Sequence, residues 1–206
     1  MESHLVWSLI QAAGWPIWPL IAASVVALAL IFERLWSLRQ SIVAPEGMVD
    51  RVLVDFRQTG ATPELLTRTA AQGPLGRILA AGLANVKAPR PVMKEAIEEV
   101  GRVVTHDLER FLTTLGTIAA MAPLMGLFGT VVGMIEIFGS QGAAASNPIQ
   151  LAQGISIALY NTAMGLIVAI PSMIFYRYFR SKVDGLVVEM EQQAIKLVDF
   201  AHGERK

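Results

Sequence analysis

The chain has 206 residues, of which 53% are hydrophobic, and its 17 basic and 17 acidic side chains leave no net charge. This balance lacks the basic excess typical of nucleic-acid-binding proteins. The absence of cysteine excludes disulfides, thiol nucleophiles and thiolate metal sites. Three stretches carry no charged side chain: Leu5–Phe32, Phe111–Ile135 and Ile137–Tyr176. Each exceeds the roughly 20 residues that a helix needs to cross a bilayer, so we expect an integral membrane protein.

The first charge-free stretch predicts a transmembrane helix over 16–36, which follows a periplasmic or interfacial segment over 1–15. That segment lacks the basic residues that begin a signal peptide, so we expect it to be retained. The next segment, 37–110, is expected to be cytoplasmic and helical. Within it, Thr62 followed by Pro63 predicts a helix start, because a capping hydroxyl precedes a proline at the first helical position.

The third charge-free stretch is too long for one span and is interrupted by turn-forming residues over 139–148. We therefore expect transmembrane helices over 111–138 and 149–176, joined by a periplasmic loop over 139–148. No proline follows Val92 before Pro123, which predicts that the second span continues a cytoplasmic helix without a break. The tail, 177–206, has apolar residues at helical spacing and is predicted to be a C-terminal cytoplasmic helix. The predicted class is an all-α integral membrane protein with three transmembrane helices and long cytoplasmic helical extensions.

The distribution of basic residues predicts the orientation of these spans. All 17 lysines and arginines lie within 34–110 or 177–206. The positive-inside rule places these two segments in the cytoplasm. The N-terminus and the loop over 139–148 are then expected outside the cytoplasm.

Small and polar side chains share one face of each of the last two spans. At 100° per residue, those of the second span fall within about 60° of Thr130: Gly116, Ala119, Pro123, Gly126 and Gly133. In the third span, Ala158, Thr162, Gly165, Ala169 and Tyr176 cluster likewise. Such faces permit close helix packing in lipid, and they could also line a cavity or pore. Pro123 and Pro171 add a further feature, because each frees a backbone carbonyl four residues earlier, where a helix can kink.

Two kinds of ionisable residue have to be considered as functional groups. Glu136 is the one carboxylate between the second and third charge-free stretches, and it either reaches the headgroup region or marks a functional site. The three histidines, His4, His106 and His202, lie far apart in the sequence and outside the spans. They form no metal or catalytic constellation. We therefore expect no enzyme activity, no metal and no cofactor.

Two stretches carry a resemblance to a known family. The sequence from Glu109 to Ile135, which contains Gly126-Leu-Phe-Gly129-Thr130-Val-Val-Gly133, resembles the second span of the MotA/TolQ/ExbB proton channel family. The sequence from Gly154 to Pro171, which contains Asn-Thr162-Ala-Met-Gly165, is similar to its third span. Among the members of the family, the ExbB proteins are the most similar.

The resemblance implies a ring of subunits, five in this family, in a bacterial inner membrane. The second and third spans would line a pore that holds an ExbD-like single-span partner with a transmembrane aspartate. Proton flow would rotate the partner and energise a TonB-like protein for outer-membrane transport. The family's pore threonines map onto Thr130 and Thr162. Thr117 also matches a recurrent threonine, but it lies about 140° from Thr130 on an ideal helix.

One departure from the family bears on the pathway. ExbB and TolQ proteins commonly have a glutamate in the third span where this chain has Ile157. Either that acid is dispensable or another group replaces it. Glu136 is a candidate by depth, since it lies six residues, or about 9 Å, beyond Thr130. Its direction argues against this, because it points about 120° away from the face of Thr130.

Other classes of protein remain as alternatives. A TolQ-like motor subunit for envelope maintenance fits the same residues. A non-conducting structural scaffold would use the small faces for assembly alone. A small-solute transporter would show inverted repeats or a broken-helix site, and the sequence has neither signal.

Overall fold

The computed structural model of the chain describes residues 14–140 and 148–203. All regular elements among these residues are α-helices, which confirms the predicted fold class. Residues 1–13, 141–147 and 204–206 lie outside the described part. They include most of the predicted segment 1–15, most of the predicted loop 139–148 and the end of the tail.

Helix α1 covers Ile17–Ser37. It begins directly after Pro16, whose fixed φ suits a helix entry. Its 21 residues rise about 31 Å, close to the thickness of a hydrocarbon core. Large apolar side chains along it stay exposed within the chain, among them Val25 and Phe32. A helix in water would not leave such a surface uncovered, so α1 faces lipid or other protein.

Five shorter helices follow between α1 and the next long apolar helix: α2 Gln40–Val43, α3 Met48–Thr59, α4 Pro63–Ala70, α5 Pro74–Ala84 and α6 Arg90–Glu109. The predicted start at Thr62 is present, because its hydroxyl accepts a hydrogen bond of 3.3 Å from the backbone N–H of Leu65. Gly47 and Gly73 precede α3 and α5 with positive φ values of 68° and 101°, a backbone conformation that favours glycine.

Helix α7 covers Leu112–Ser140 and is separate from α6. The prediction of one unbroken helix through this region is wrong. Arg110 leaves the helical conformation with ψ 138°, and Phe111 adopts φ 66°. A phenylalanine in the left-handed region is uncommon, and the sequence has no glycine or asparagine here that would signal the break.

Helix α8 covers Pro148–Ala201, a run of 54 residues with Pro171 inside it. At 1.5 Å per residue it is about 81 Å long, so the third span and the tail form one helix. Three helical stretches of the described chain are long and apolar enough to cross a membrane. They comprise α1, α7 and the apolar half of α8, which is its charge-free part over 148–176.

The described residues divide into two compact units. The first unit takes its residues from Met1–Phe32 and Phe111–Arg177, and the second from Glu33–Arg110 and Tyr178–Lys206. Leu20, Ala122, Val168 and Ala169 form the core of the first unit. In the second unit, α5 packs against α6 and α8. A Cβ added at Gly82 would lie 2.7 Å from Leu197 Cδ2 and 3.0 Å from Ile97 Cδ1.

Candidate functional site

The backbones of helices α7 and α8 come into contact at two glycines, Gly126 and Gly165. A Cβ added at Gly126 would lie 2.7 Å from the carbonyl oxygen of Asn161 and 3.2 Å from the Cα of Gly165. A Cβ added at Gly165 would lie 2.6 Å from the carbonyl oxygen of Ala122. The two backbones therefore touch, a contact that only residues without side chains permit.

The contact continues towards both ends of the pair, which fixes its register. A Cβ at Gly133 would lie 3.2 Å from the Cβ of Ala158, and one at Gly154 would lie 2.7 Å from Ile137 Cδ1. At the other end, Gly116 faces the ring of Tyr176, where an added Cβ would lie 3.1 Å from Cε2. Rising numbers in α7 meet falling numbers in α8, so the helices are antiparallel.

The sequence-predicted packing residues fall into two groups in this arrangement. Gly126, Gly129, Gly133 and Gly165 lie in the contact between α7 and α8. Pro123 and Pro171 lie inside the two helices, and neither ends its helix.

Of the three sequence-predicted threonines, Thr162 takes part in this contact through its backbone. Thr130 is half-buried and its hydroxyl donates to the carbonyl of Leu127 at 2.7 Å. Thr117 is exposed and donates to the carbonyl of Thr113 at 2.9 Å. Thr162 is half-buried, and its Cα lies 3.0 Å from a Cβ built at Gly126. A threonine that donates to its own helix keeps its oxygen lone pairs as acceptors.

The register of the two helices also gives the relative depth of Thr130 and Thr162, the two candidate pore-lining residues. Gly129 faces Asn161, since an added Cβ would lie 2.7 Å from the Asn161 Cβ. Thr130 and Thr162 are each one residue beyond this contact, in opposite directions along the pair. With a rise of 1.5 Å per residue, their Cα atoms differ in depth by about 3 Å. Thr117 lies 13 residues from Thr130, about 20 Å away along α7.

Glu136 is exposed near the C-terminal end of α7. It lies three residues beyond Gly133, and Ile157 lies one residue beyond the Ala158 that Gly133 faces. Glu136 is therefore about 3 Å further along the pair than Ile157. No ion pair within the described residues involves Glu136.

Asn161 is a residue that the sequence analysis did not single out. Only 1% of it is exposed, although it lies in the apolar half of α8. Its side chain fills the space that Gly129 leaves, with Cγ 2.8 Å and Nδ2 3.0 Å from an added Cβ there. An amide inside a charge-free stretch was the available signal, but its partner depends on the register between helices, which one sequence does not give.

The second unit contains a buried charge at the end of α1. Arg34 is 6% exposed, forms an ion pair with Glu33, and donates through Nη1 to the carbonyl of Leu108 at 3.1 Å. Two further ion pairs connect α6 to α8: Arg90 with Asp199 at 3.0 Å, and Glu109 with Arg180 at 2.8 Å. These bonds hold the two helices together at both ends of α6.

The described residues contain no group of three or more histidine, aspartate or glutamate side chains that could hold a metal ion. In the first unit, the geometry provides a tightly packed helix pair in which the Cα atoms of Thr130 and Thr162 lie within about 3 Å of the same depth. Such a pair belongs to a polytopic helical membrane protein whose polar groups serve assembly or ion passage.

Comparison with known proteins identifies the family. Residues 70–192 match the MotA/TolQ/ExbB proton channel family, and the chain belongs to it. It is 34% identical over 176 residues to the putative biopolymer transport protein ExbB-like 3 of Synechocystis sp., with 83% of each chain covered. It is 31% identical over 173 residues to the biopolymer transport protein exbB1 of Vibrio cholerae, with 79% of this chain and 74% of the relative covered.

A relative from another branch is similar over nearly the whole chain. The Tol-Pal system protein TolQ of Pseudomonas aeruginosa is 28% identical over 214 residues, which cover 91% of this chain and 90% of the relative. The chain is thus a membrane protein of the proton channel family, related to both ExbB and TolQ proteins.

Proposed function

We propose that this protein is the ring-forming subunit of an inner-membrane motor driven by the proton-motive force. The ring, a homopentamer by resemblance, would house an ExbD-like single-span partner and energise a TonB-like protein. The observation that carries the proposal is the pair of threonines, Thr130 and Thr162, within about 3 Å of the same depth beside the glycine contact. The predicted topology, with N-terminus and the loop 139–148 in the periplasm, follows from the one-sided distribution of basic residues.

The proposed mechanism divides the work between the ring and its partner. A carboxylate at mid-bilayer is costly, and the described part of α7 and α8 offers the hydroxyls of Thr130 and Thr162 and the amide of Asn161 instead. The Thr130 hydroxyl, already donating to the carbonyl of Leu127, would accept a hydrogen bond from the protonated carboxyl of the partner. Water or the Thr162 hydroxyl would stabilise the same carboxyl when it is ionised. A proton that crosses 100 mV releases about 2.3 kcal/mol, so a working stroke needs several protons or an added pH gradient.

Thr162 is the residue on which the test depends. We expect Thr162→Val to reduce proton-driven function at least about tenfold, because valine keeps the shape and removes the hydroxyl. Assembly should persist. Native mass spectrometry of the chain, co-expressed with its candidate partner, measures assembly: five chains of 22.3 kDa give about 111 kDa plus partner. Thr162→Ala should behave in the same way. Wild-type function in both variants would contradict the site.

The same assay tests the two lower-ranked groups. Glu136 would contribute if it replaced the family acid absent at Ile157, and Glu136→Gln should then reduce function with the ring intact. Thr117, which lies about 20 Å from Thr130, would serve a separate, more cytoplasmic part of the pathway. Full function of Glu136→Gln would show that Glu136 does not replace the family glutamate that is absent at Ile157.

Two alternatives predict different outcomes. A TolQ-like motor for envelope maintenance, suggested by the match to the Pseudomonas protein, would keep the same ring and threonine dependence but support envelope integrity. A non-conducting scaffold would show no dependence on the proton-motive force. A monomer or dimer without a partner, under conditions that preserve other membrane complexes, would favour the scaffold.

A further inference from the structure

We propose that Asn161 is a positioning residue that sets the rotation of α8 against α7, and thereby the direction of Thr162. This inference rests on the proposed proton pathway. Its starting point is that Asn161 is 1% exposed and lies in the apolar half of α8. An amide in such surroundings is costly unless its polar atoms are satisfied, so its position inside the helix contact calls for a reason.

Two glycines of α7 hold Asn161 in place. Its side chain occupies the slot at Gly129, where an added Cβ would lie 2.7 Å from its Cβ and 2.8 Å from its Cγ. One turn away, its carbonyl oxygen lies 2.7 Å from the Cβ position of Gly126. The same residue is therefore fixed through both its side chain and its backbone.

This contact determines the direction of the side chains of Thr130 and Thr162, because each threonine follows a contacting residue in the sequence. Thr162 follows Asn161, and Thr130 follows Gly129. A rotation of α8 by 20° would move a hydroxyl about 4.5 Å from the helix axis by roughly 1.5 Å. That displacement is enough to break a hydrogen bond to a carboxyl group, since proton transfer requires separations of about 2.6–3.2 Å.

The amide adds a preference that an apolar side chain of the same size would lack. If α8 rotated so that Asn161 faced lipid, its amide would enter the hydrocarbon, which offers no hydrogen-bond partner. Leucine at this position could face lipid or protein with little difference, because lipid tails are as apolar as leucine. A buried asparagine fixes the register of coiled coils for the same reason, at some expense of stability. Asn161 therefore restricts α8 to one rotation.

The test compares Asn161→Leu with a matched control in the same helix. We expect Asn161→Leu to keep the ring mass and a thermal unfolding midpoint at or above wild type, while proton-driven function falls at least about tenfold. The control is Ser172→Ala, which removes another buried polar group, one whose hydroxyl donates to its own helix at Val168, 2.7 Å away. It should retain function.

A disulfide measures the rotation directly and independently of function. The chain has no cysteine, and a Cβ at Gly133 would lie 3.2 Å from that of Ala158, just below the roughly 3.5–4.5 Å that separates the Cβ atoms of a disulfide. With Gly133→Cys and Ala158→Cys, oxidation should link α7 to α8 efficiently when Asn161 is present. The yield should fall at least about threefold when leucine replaces it.

The possible outcomes separate this inference from the proposed function. If Thr162→Val loses function while Asn161→Leu keeps both function and disulfide yield, the positioning role is wrong and the pathway stands. If Thr162→Val and Thr162→Ala both work like wild type, the pathway is wrong. Asn161 then has no functional threonine to direct, so the proposal falls even if the disulfide yield still depends on Asn161. If Asn161→Leu prevents ring assembly, the residue is merely structural, which also overturns the proposal.

Discussion

Arg34 of α1 provides a hydrogen-bond donor to a backbone carbonyl at the C-terminal end of α6. The last carbonyls of a helix have no partner within it, and in α6 the chain leaves the helix at Arg110. The Arg34 guanidinium donates to the Leu108 carbonyl at 3.1 Å, and its positive charge suits the negative end of the helix dipole. The ion pair with Glu33 contributes less, because that glutamate side chain is 44% exposed.

We expect Arg34→Met to lower the free energy of unfolding by about 1.5–3 kcal/mol, the contribution of a hydrogen bond from a charged group. Methionine preserves the length of the side chain and removes the donors. Arg51→Met is the control, since Arg51 is exposed and its substitution should change stability by less than about 0.5 kcal/mol. Equilibrium unfolding in detergent measures both. Equal values for the two variants would contradict the role given to Arg34.

Sequence patterns predicted those features of the helices that depend on a single helix. The spacing of Gly126, Gly133 and Gly165 predicted a small face, and the structure places these residues in the contact between α7 and α8. The start of α4 followed from Thr62 and Pro63. These features are local, because each depends on residues within one or two helical turns.

Features that depend on contacts between two helices were not predicted from the sequence. The break at Phe111, with φ 66°, has no glycine or proline to signal it. It coincides with the end of α6, where Arg34 of α1 supplies a hydrogen bond from 74 residues away. The slot for Asn161 likewise requires the register of two antiparallel helices. A single sequence gives the faces of helices, and tertiary contacts decide which positions on them meet.

Two glycines of α8 offer a direct test of the helix contact. Gly165 faces backbone atoms of α7, since an added Cβ would lie 2.6 Å from the Ala122 carbonyl and 3.1 Å from the Gly126 Cα. Gly185 lies in the same helix with nothing within 4 Å of its Cβ position. Backbone cannot move aside as a flexible side chain can, so a methyl group at 165 must separate the helices.

We expect Gly165→Ala to destabilise the protein by about 1–3 kcal/mol, the usual cost of overpacking. Gly185→Ala should stabilise it by up to about 1 kcal/mol, because alanine favours a helix over glycine and meets no obstacle. The shift of the thermal unfolding midpoint measures both variants. Destabilisation of similar size in both would mean that the α7–α8 contact is looser than these distances indicate.

Charge and apolar surface are segregated along the chain. The first unit contains the three apolar stretches, and within its described residues large apolar side chains such as Val131, Ile135 and Ile174 remain exposed. All lysines and arginines except Arg177 fall in the residue ranges of the second unit. This segregation indicates a membrane-spanning unit and a water-exposed unit, and the positive-inside rule predicts that the latter is cytoplasmic.

The orientation can be measured with two single cysteines in this cysteine-free chain. Gly139 and Gly185 both have nothing within 4 Å of the Cβ position, so cysteine fits at either site without displacing a neighbour. Gly139 lies at the end of α7 predicted to be periplasmic, and Gly185 lies in the part of α8 predicted to be cytoplasmic.

We expect a small membrane-impermeant thiol reagent to label Gly139→Cys in spheroplasts. Gly185→Cys should react only after the membrane is opened, because a charged reagent does not cross the hydrocarbon core. Labelling with the opposite pattern would invert the topology and place the basic segments in the periplasm, which the proposed motor could not tolerate. Equal labelling of both sites in intact spheroplasts would mean that the apolar part of α8 does not separate them across the membrane.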